Sequence, residues 1–358
     1  MYVQNKNLVT CDTIILSIPA SRIRLYAIEI GDLTKVFNKR TKAVNGISFV
    51  VQEGEIFGLL GPNGAGKTTT IRMITNLTTP TSGSIMVFGS NVSNTPVQVR
   101  QMLGYIPQSI SVDADLTAYE NLLIFAKLFY VPKNERDKRI KFALKYMGLE
   151  DRSNDLVKRF SGGMMRRLEV AQALVNQPKM LILDEPSIGL DPASKMQMWK
   201  YLRQLNEDFG TTILITTHDM SEADELCNRI AVMSSGKIAV IGSPVELKES
   251  VGKETLTITL QSMSSSGQIL PPLTAELGIV INNDGNIVKI LTRNGEHAIP
   301  RILESFRNAG LNVDSVSLNK ITLDDVFIKY AKTKFEAENT ESNRDARLVR
   351  RTYRRRAG

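Results

Sequence analysis

The sequence predicts an α/β fold in which a parallel sheet is covered by helices on both faces, with a small α+β domain at its C-terminal end. Near-continuous apolar runs such as Met180–Asp184 and Thr212–His218 alternate with segments of helical periodicity. Unbroken apolar strands of this kind are typical of a sheet buried on both sides. Near Val251 the pattern changes to alternating strands, beginning with Thr255–Leu260, which indicates a second domain.

The first half of the chain contains strands, then a long helical tract. Residues 1–26 carry no clear period and form an unassigned N-terminal extension, after which the tracts AIEIGDLTKVF and GISFVVQEGEIFGLLG predict short strands. A loop and helix from Gly61 to about Leu77 precede a strand over Ser84–Phe88. Apolar residues recurring at intervals of three and four predict that residues 97–175 are mainly helical. A helix from about Ala193 to Asn206 then separates the last two apolar strands.

The elements after residue 252 predict a small α+β domain over residues 253–336. Gly278–Leu291 contains two predicted strands around an Asn-Asp-Gly turn. A helix from about Ile299 to Asn308, a strand and a final helix follow, and Thr322–Asp325 has the pattern of a capping box at the start of that last helix. Residues 337–358 are polar and Arg-rich and are predicted to be disordered.

The excess positive charge belongs to the C-terminal tail. Of the net charge of +8, a share of +6 comes from seven Arg and one Asp in residues 344–358. The rest of the chain is close to neutral, so nucleic acid is not expected as a partner. A solvated tail is the simplest interpretation, and contact with anionic lipid is the alternative.

The sequence shows no membrane span, no clear secretion signal and no paired cysteines, and these features bear on the compartment of the protein and on the redox state of its cysteines. No apolar run approaches the roughly 18 to 20 residues that cross a bilayer, and the N-terminal stretch is a poor match to a secretion signal. Cys11 and Cys227 have no Cys or His at ligand spacing, which predicts reduced thiols rather than a disulfide or a zinc site. A cytoplasmic protein is therefore expected.

A phosphate-binding loop is the most specific motif in the chain. The tract GPNGAGKTT matches G-x-x-x-x-G-K-[ST] between a predicted strand and a predicted helix. Its glycines let the backbone approach phosphates closely, and the N–H groups at the helix N-terminus form an anion cradle. Lys67 is expected to bind the β- and γ-phosphates, and the Thr68 hydroxyl to ligate Mg²⁺. The predicted nucleotide-binding residues of this loop are Gly61, Pro62, Asn63, Gly64, Ala65, Gly66, Lys67, Thr68 and Thr69.

Two carboxylates end the apolar strand MLILD. At the carboxyl end of such a strand, Asp184 is expected to hold Mg²⁺, and Glu185 to orient and deprotonate the attacking water. Taken alone, the pair also fits an ordinary acidic turn.

Further motifs resemble those of the ABC ATPase family, and they occur in the order in which that family has them. The tract RFSGGMMRRLEVAQAL, in which Ser161, Gly162 and Gly163 open a helix, resembles the family's signature motif. The other matching positions are Gln108 at the Q-loop, Ser187–Asp191 at the D-loop, His218 at the switch histidine and Phe37 at the aromatic residue that stacks on adenine. Phe160, Met164 and Phe37 depart from the commonest residues, and none of these departures removes a charged group.

The resemblance covers about two thirds of the chain and implies an ABC ATPase domain over residues 27–252. Its fold would comprise a mixed sheet core, an antiparallel β subdomain and a helical subdomain at about 109–165. The implied ligands are ATP and Mg²⁺, with Thr68, Gln108 and Asp184 at the metal. Lys67, Glu185 and His218 would be catalytic. The signature residues would contact the γ-phosphate held by a second copy of the chain, so that a head-to-tail dimer completes two sites. Asp191, at the end of the D-loop, would also bind nucleotide.

Two tracts narrow the resemblance to exporter-type ATP-binding proteins. The segment after His218, THDMSEADELCNRIAVMSSGKIAVIGSPVELKESVG, resembles the subfamily that includes daunorubicin-resistance and nodulation-export proteins. ITLDDVFIKY, at Ile321–Tyr330, resembles the end of that subfamily's C-terminal domain. The resemblance implies an ATPase beneath a separate permease, on the inner face of the cell membrane, that exports a drug, lipid or polysaccharide. An importer ATPase and a soluble ABC-type ATPase acting on ribosomes or DNA are the alternatives.

Overall fold

The computed structural model describes residues 26–38, 40–261, 279–284, 287–292, 295–308 and 310–330. The predicted tail at 337–358, Cys11 and the N-terminal extension up to residue 25 lie outside the described residues. In the part of the chain that is described, no helix is long and apolar enough to cross a membrane.

The strands and helices follow one another in the order that the sequence predicted for an α/β protein. The strands are β1 Tyr26–Phe37, β2 Thr41–Gln52, β3 Ile56–Leu60, β4 Ser82–Val87, β5 Ser90–Asn91, β6 Leu103–Ile106, β7 Met180–Asp184, β8 Thr212–Thr217, β9 Arg229–Ser234, β10 Lys237–Gly242, β11 Glu254–Leu260, β12 Ile279–Asp284, β13 Ile287–Thr292 and β14 Val313–Asn319. The helices are α1 Lys67–Ile74, α2 Pro96–Met102, α3 Ala118–Leu128, α4 Lys133–Tyr146, α5 Gly162–Leu174, α6 Pro192–Phe209, α7 Met220–Leu226, α8 Pro244–Val251, α9 Gly295–Asn308 and α10 at 323–330.

A six-stranded sheet forms the centre of the molecule. Its order is β10-β9-β3-β8-β7-β6, with β9, β3, β8, β7 and β6 parallel and β10 antiparallel at one edge. Every residue of β3, β7 and β8 is buried, because helices or the second sheet cover both faces. The mixed sheet predicted for the core is confirmed.

An antiparallel sheet of order β2-β1-β4-β5 packs beside the central one. The two sheets share one hydrophobic core, which also includes the inner face of α1. Phe49 of β2 and Phe57 of β3 stack with ring centroids 5.4 Å apart. Such a stacked pair adds to the burial energy of its rings and joins the two sheets directly.

Helices α3, α4 and α5 pack against one another and against the other side of the central sheet. Buried Leu122, Ile140 and Leu168 belong to one core with strands β7 and β8. Thr117 and Glu120 form a capping box that starts α3. The prediction that residues 97–175 are mainly helical missed β6, since its four residues are too few for a strand period to stand out.

The C-terminal sheet has the order β12-β13-β11-β14, and α9 covers one of its faces. Ile302 and Phe306 of α9 are buried against Leu256 and Ile258 of β11. The helix begins at Gly295, four residues before the predicted start, where the backbone N–H of Gly295 donates to the Glu254 carboxylate at 2.6 Å.

Helix α10 returns from this sheet to the first domain. The capping box predicted at its start is present, because Thr322 Oγ1 accepts from Asp325 N–H and Asp325 accepts from Thr322 N–H. Leu323 and Val326 are buried in the core that contains α8, rather than in the core of the C-terminal sheet. Tyr330 also donates to Ser250 Oγ at 3.0 Å. The chain therefore leaves the first domain after α8 and rejoins it through α10.

Replacing Leu323 by Ala should destabilise the protein by about 2–5 kcal/mol, since it opens a cavity at a side chain that is 1% exposed. Ile328→Ala, on the same helix at a side chain that is 48% exposed, is the matched control and should change stability by no more than about 0.5 kcal/mol. Urea unfolding measures both. Equal losses in the two variants would contradict the docking of α10.

Candidate functional site

The phosphate-binding loop joins β3 to α1 and leaves no room for side chains at two of its glycines. A Cβ at Gly61 would lie 2.4 Å from the Met233 carbonyl oxygen, and a Cβ at Gly66 would lie 2.4 Å from the Ala43 carbonyl oxygen. Gly66 also has φ of 104° and provides no side-chain cap for α1. The N–H groups of the first turn of α1 are therefore left to bind an anion.

Lys67 is a buried cation, with 3% of its surface exposed. Its ammonium donates to the carbonyl oxygens of Gly61 at 2.8 Å and Pro62 at 3.2 Å, and lies 3.2 Å from the Glu185 carboxylate. A buried charge needs such partners. Phosphate oxygens at the same place would compensate the ammonium in the same way.

Three side-chain oxygens meet where β7 and β8 end. Thr68 Oγ1 donates to Asp184 Oδ1 at 3.1 Å, and Thr216 Oγ1 donates to the same oxygen at 2.6 Å. Hydroxyl and carboxylate oxygens are the ligands that Mg²⁺ accepts when phosphates and water complete its shell. The described residues contain no group of three or more His, Cys, Asp or Glu that would hold a metal by itself. Thr68 and Asp184 supply two oxygens of the kind that Mg²⁺ accepts, and they fit a Mg²⁺ that is bound together with a nucleotide.

Glu185 is the point at which the predicted catalytic residues converge. Besides Lys67, its carboxylate lies 3.4 Å from the Gln108 amide nitrogen and 3.1 Å from His218 Nδ1. Gln108, which the resemblance also places at the metal, here donates to Glu185. The backbone of Glu185 has φ of 49°, a left-handed conformation that is uncommon for a non-glycine residue and occurs in turns and at functional sites.

A buried Arg that the sequence did not single out supports these residues. Arg166, in α5, donates to the carbonyl oxygens of Pro107, Asp184, Glu185 and Pro186 and pairs with Glu169 at 2.8 Å. Glu169 also accepts from the N–H and the hydroxyl of Ser111. One guanidinium thus connects α5, the segment that carries Gln108 and the end of β7. The sequence points to Arg166 only in that a charged residue falls on the apolar face of the helix α5.

The remaining predicted residues lie apart from the phosphate-binding loop. Ser161 caps α5, where its hydroxyl accepts from Met164 N–H at 3.3 Å. Asp191 caps α6, and its hydrogen bonds from the Ser194 hydroxyl and N–H lower the pKa of its carboxyl group. No hydrogen bond or ion pair among the described residues joins Ser161, Gly162, Gly163 or Asp191 to Gly61–Thr69.

Phe37 ends β1 with 42% of its surface exposed. The Lys35 ammonium lies 5.1 Å from the centroid of its ring. The ring is open to a planar ligand at the surface, and no contact in the described structure joins it to Lys67 or Glu185.

Comparison with known sequences identifies relatives for both parts of the chain. Residues 44–188 match the ABC transporter family, and residues 242–331 match the C-terminal domain of DrrA1-3-like ATP-binding proteins. The daunorubicin/doxorubicin resistance ATP-binding protein DrrA of Streptomyces peucetius is 39% identical over 316 residues, which cover 88% of this chain and 95% of DrrA. The linearmycin resistance ATP-binding protein LnrL of Bacillus subtilis is 34% identical over 299 residues, which cover 83% of this chain and 96% of LnrL.

The Nod factor export ATP-binding protein I of Burkholderia lata is 46% identical over 216 residues, which cover 60% of this chain and 71% of that protein. Among solved structures, cbiO1 from Clostridium perfringens, part of the ABC transporter complex cbiONQ, gives a TM-score of 0.59 at 29% identity over 63% of this chain and 93% of its own. A dimeric post-hydrolysis structure of the ATP-binding cassette MJ0796 with ADP and Pi gives a TM-score of 0.55 at 27% identity. The match covers 60% of this chain and 98% of the MJ0796 chain.

Replacing Arg166 by Met should destabilise the protein by about 3–5 kcal/mol, because the Glu169 carboxylate would be left buried without its cation. The double variant Arg166→Met/Glu169→Gln removes that charge, keeps an acceptor for Ser111 and should recover part of the loss. Midpoints of urea unfolding measure both variants. If the double variant were no more stable than the single one, the Arg166–Glu169 pair would not be the reason for the loss.

Proposed function

The chain belongs to the ABC transporter family and is an ATPase, and from this premise we propose that it drives an exporter, as a head-to-tail dimer beneath a separate membrane permease. One observation carries the assignment of the site: Lys67, Gln108 and His218 all converge on the Glu185 carboxylate. Together with Glu185, these three residues come from four separate segments of the chain. The fold alone would not require them to meet.

ATP is the substrate, and its phosphates bind in the loop Gly61–Thr69. The uncapped N–H groups of α1 and the Lys67 ammonium receive the β- and γ-phosphates. The side chains that would hold Mg²⁺ are Thr68 and Asp184, with Gln108 beside them. When bound, the metal neutralises charge on the phosphates. Phe37 is open at the surface and offers its ring to the adenine base.

Glu185 acts as the general base of hydrolysis. Its carboxylate is paired with Lys67, and phosphates bound at the loop would give the ammonium another anion to contact. The carboxylate is then available to orient water and accept its proton. His218 positions the γ-phosphate, and Gln108 senses whether the site is filled, because it follows β6 and leads into the helical subdomain.

A second copy of the chain completes each site. Among the described residues, no hydrogen bond or ion pair joins Ser161, Gly162, Gly163 or Asp191 to the loop of their own chain. The signature residues and Asp191 lie close together, since a Cβ on Gly163 would meet Ser194, whose N–H donates to Asp191. We infer that they contact the nucleotide held by the partner. The dimeric MJ0796 structure supports this arrangement. ATP then closes the dimer and hydrolysis opens it.

The permease is proposed to dock on the helical subdomain. Several apolar side chains after Gln108 are exposed, among them Ile110, Ile124 and Leu128. Ile124 and Leu128 lie one turn apart on α3, and exposed apolar side chains that are neighbours favour a protein partner. We infer that the chain works in the cytoplasm, on the inner face of the cell membrane. The names of the relatives, which concern daunorubicin, linearmycin and Nod factor, favour export of a drug, lipid or polysaccharide over import or action on ribosomes or DNA.

The Arg-rich tail at 344–358 is proposed to contact anionic lipid beside the permease. Each Arg near a negatively charged membrane surface contributes roughly 1 kcal/mol to binding. Seven of them in this short tail would hold the chain close to the membrane even before the permease is engaged.

Affinity purification from detergent-solubilised membranes tests the transport function. We expect a polytopic membrane protein to be recovered with the chain. Recovery of ribosomal proteins or DNA, with no polytopic protein, would overturn the exporter assignment.

Glu185→Gln should bind ATP and dimerise but hydrolyse ATP at least about 100-fold more slowly, because the amide cannot accept the proton from water. Phosphate release and size-exclusion chromatography with ATP measure the two properties. Glu207→Gln, an exposed change on α6, is the control and should hydrolyse ATP normally. Near-normal turnover by the Glu185 variant would remove Glu185 from the role of base.

Truncation after Phe335 should weaken binding to phosphatidylserine vesicles at low salt, while binding to phosphatidylcholine vesicles stays low for both chains. Raising the salt concentration should abolish the difference between the full and the truncated chain, since surface charges are screened. Vesicle sedimentation measures this. Unchanged binding of the truncated chain at low salt would exclude the lipid contact.

A further inference from the structure

A further buried carboxylate, besides those of Asp184 and Glu185, lies beside the site. Glu222, in α7, is 1% exposed, and burial raises the pKa of its carboxyl group. The Trp199 indole N–H donates to its Oε1 at 2.9 Å, and the Ser187 hydroxyl donates to the same oxygen. The Trp199 N–H is also 3.1 Å from Ser187 Oγ. Burying a carboxylate is costly, and an apolar residue would fill the same space without that cost.

The three residues of this Ser187–Trp199–Glu222 triad come from three segments. Ser187 begins the D-loop two residues after Glu185, Trp199 lies on α6, and Glu222 lies four residues after His218. One small cavity of about 100 Å³ is bordered by Glu185 and His218 and also by Ser187 and Glu222. Two members of the triad, Ser187 and Glu222, therefore lie beside the catalytic residues.

A second contact fixes α7 to α6 but does not reach the D-loop. Lys195 Nζ lies 2.9 Å from Asp219 Oδ2, one turn before Trp199 on α6, and Asp219 caps α7. Ile188 is 47% exposed and Gly189 has φ of 73°, so the middle of the D-loop is held by little packing. Ser187, through Glu222, is the point at which the D-loop is attached to the segment that carries His218.

We propose that Glu222 is a positioning residue of the ATPase reaction, which couples the D-loop to the His218 segment. The inference rests on the proposed function. His218 faces the nucleotide of its own chain, whereas Asp191, at the far end of the D-loop, faces the nucleotide of the partner. A shift of either segment is transmitted to the other through the three hydrogen-bonded side chains, so that the state of one site alters the geometry of the other.

The sole tryptophan of the chain, Trp199, reports on the triad directly. Titration with the non-hydrolysable analogue AMPPNP and Mg²⁺ should change its fluorescence in the wild-type chain. Glu222→Ala should lose this change, and its kcat should fall about tenfold to a hundredfold, as expected for misplaced catalytic groups, while its affinity for AMPPNP stays near the wild-type value. Glu222→Gln keeps the acceptor oxygen and should restore both the signal and kcat.

Leu202→Ala is the matched control, since Leu202 is buried on α6 and belongs to the hydrophobic core. It should lower thermal stability but leave the fluorescence change and kcat intact. If AMPPNP bound, by calorimetry, without any change in Trp199 fluorescence, or if Glu222→Ala kept its kcat, the coupling would be wrong and the proposed function would stand. If AMPPNP did not bind to the wild-type chain at all, the proposed function itself would fall, and the coupling with it.

Discussion

The buried guanidinium of Arg166 is the interaction on which the site depends. It satisfies four backbone carbonyl oxygens and one carboxylate at once, and those carbonyls belong to the two segments that carry Gln108 and Glu185. Because a buried guanidinium that loses a partner is strongly destabilising, the three segments are held in one arrangement. The positive φ of Glu185 is maintained in the same place, since Arg166 binds the carbonyl of that residue.

The sequence was sufficient for residues whose type and spacing reflect chemistry. The loop Gly61–Thr69, the pair Asp184–Glu185 and the alternation of buried strands with helices predicted the α/β fold and the centre of the site. The sequence could not predict contacts in which a side chain binds backbone groups or a side chain that is distant along the chain. Arg166 binds mainly carbonyl oxygens, which leave no trace in residue types, and Glu222 meets Trp199 only after α6 and α7 have packed.

The site and its surroundings differ in how firmly they are held. Lys67, Asp184 and Glu185 are almost completely buried and lie at the carboxyl ends of parallel strands, where ligands bind in open α/β sheets. His218 is half exposed, and the signature residues Ser161 and Gly162 are exposed at the start of α5. The buried part is the one proposed to bind phosphate, whereas the exposed part is the one proposed to contact a second copy of the chain. In such an arrangement, completion of the site would depend on assembly of the dimer.

The return of α10 to the first domain has a consequence for how the chain can be rearranged. Ser250 and Tyr330 are in contact, so the chain between them is an insertion that begins and ends at the same place on the first domain. Because the entropy of closing a loop grows only slowly with its length, the length of such an insertion has little effect on the stability of the domain that carries it. The C-terminal sheet and α9 are in this sense an insertion whose length can change at little cost to the stability of the ATPase that carries it.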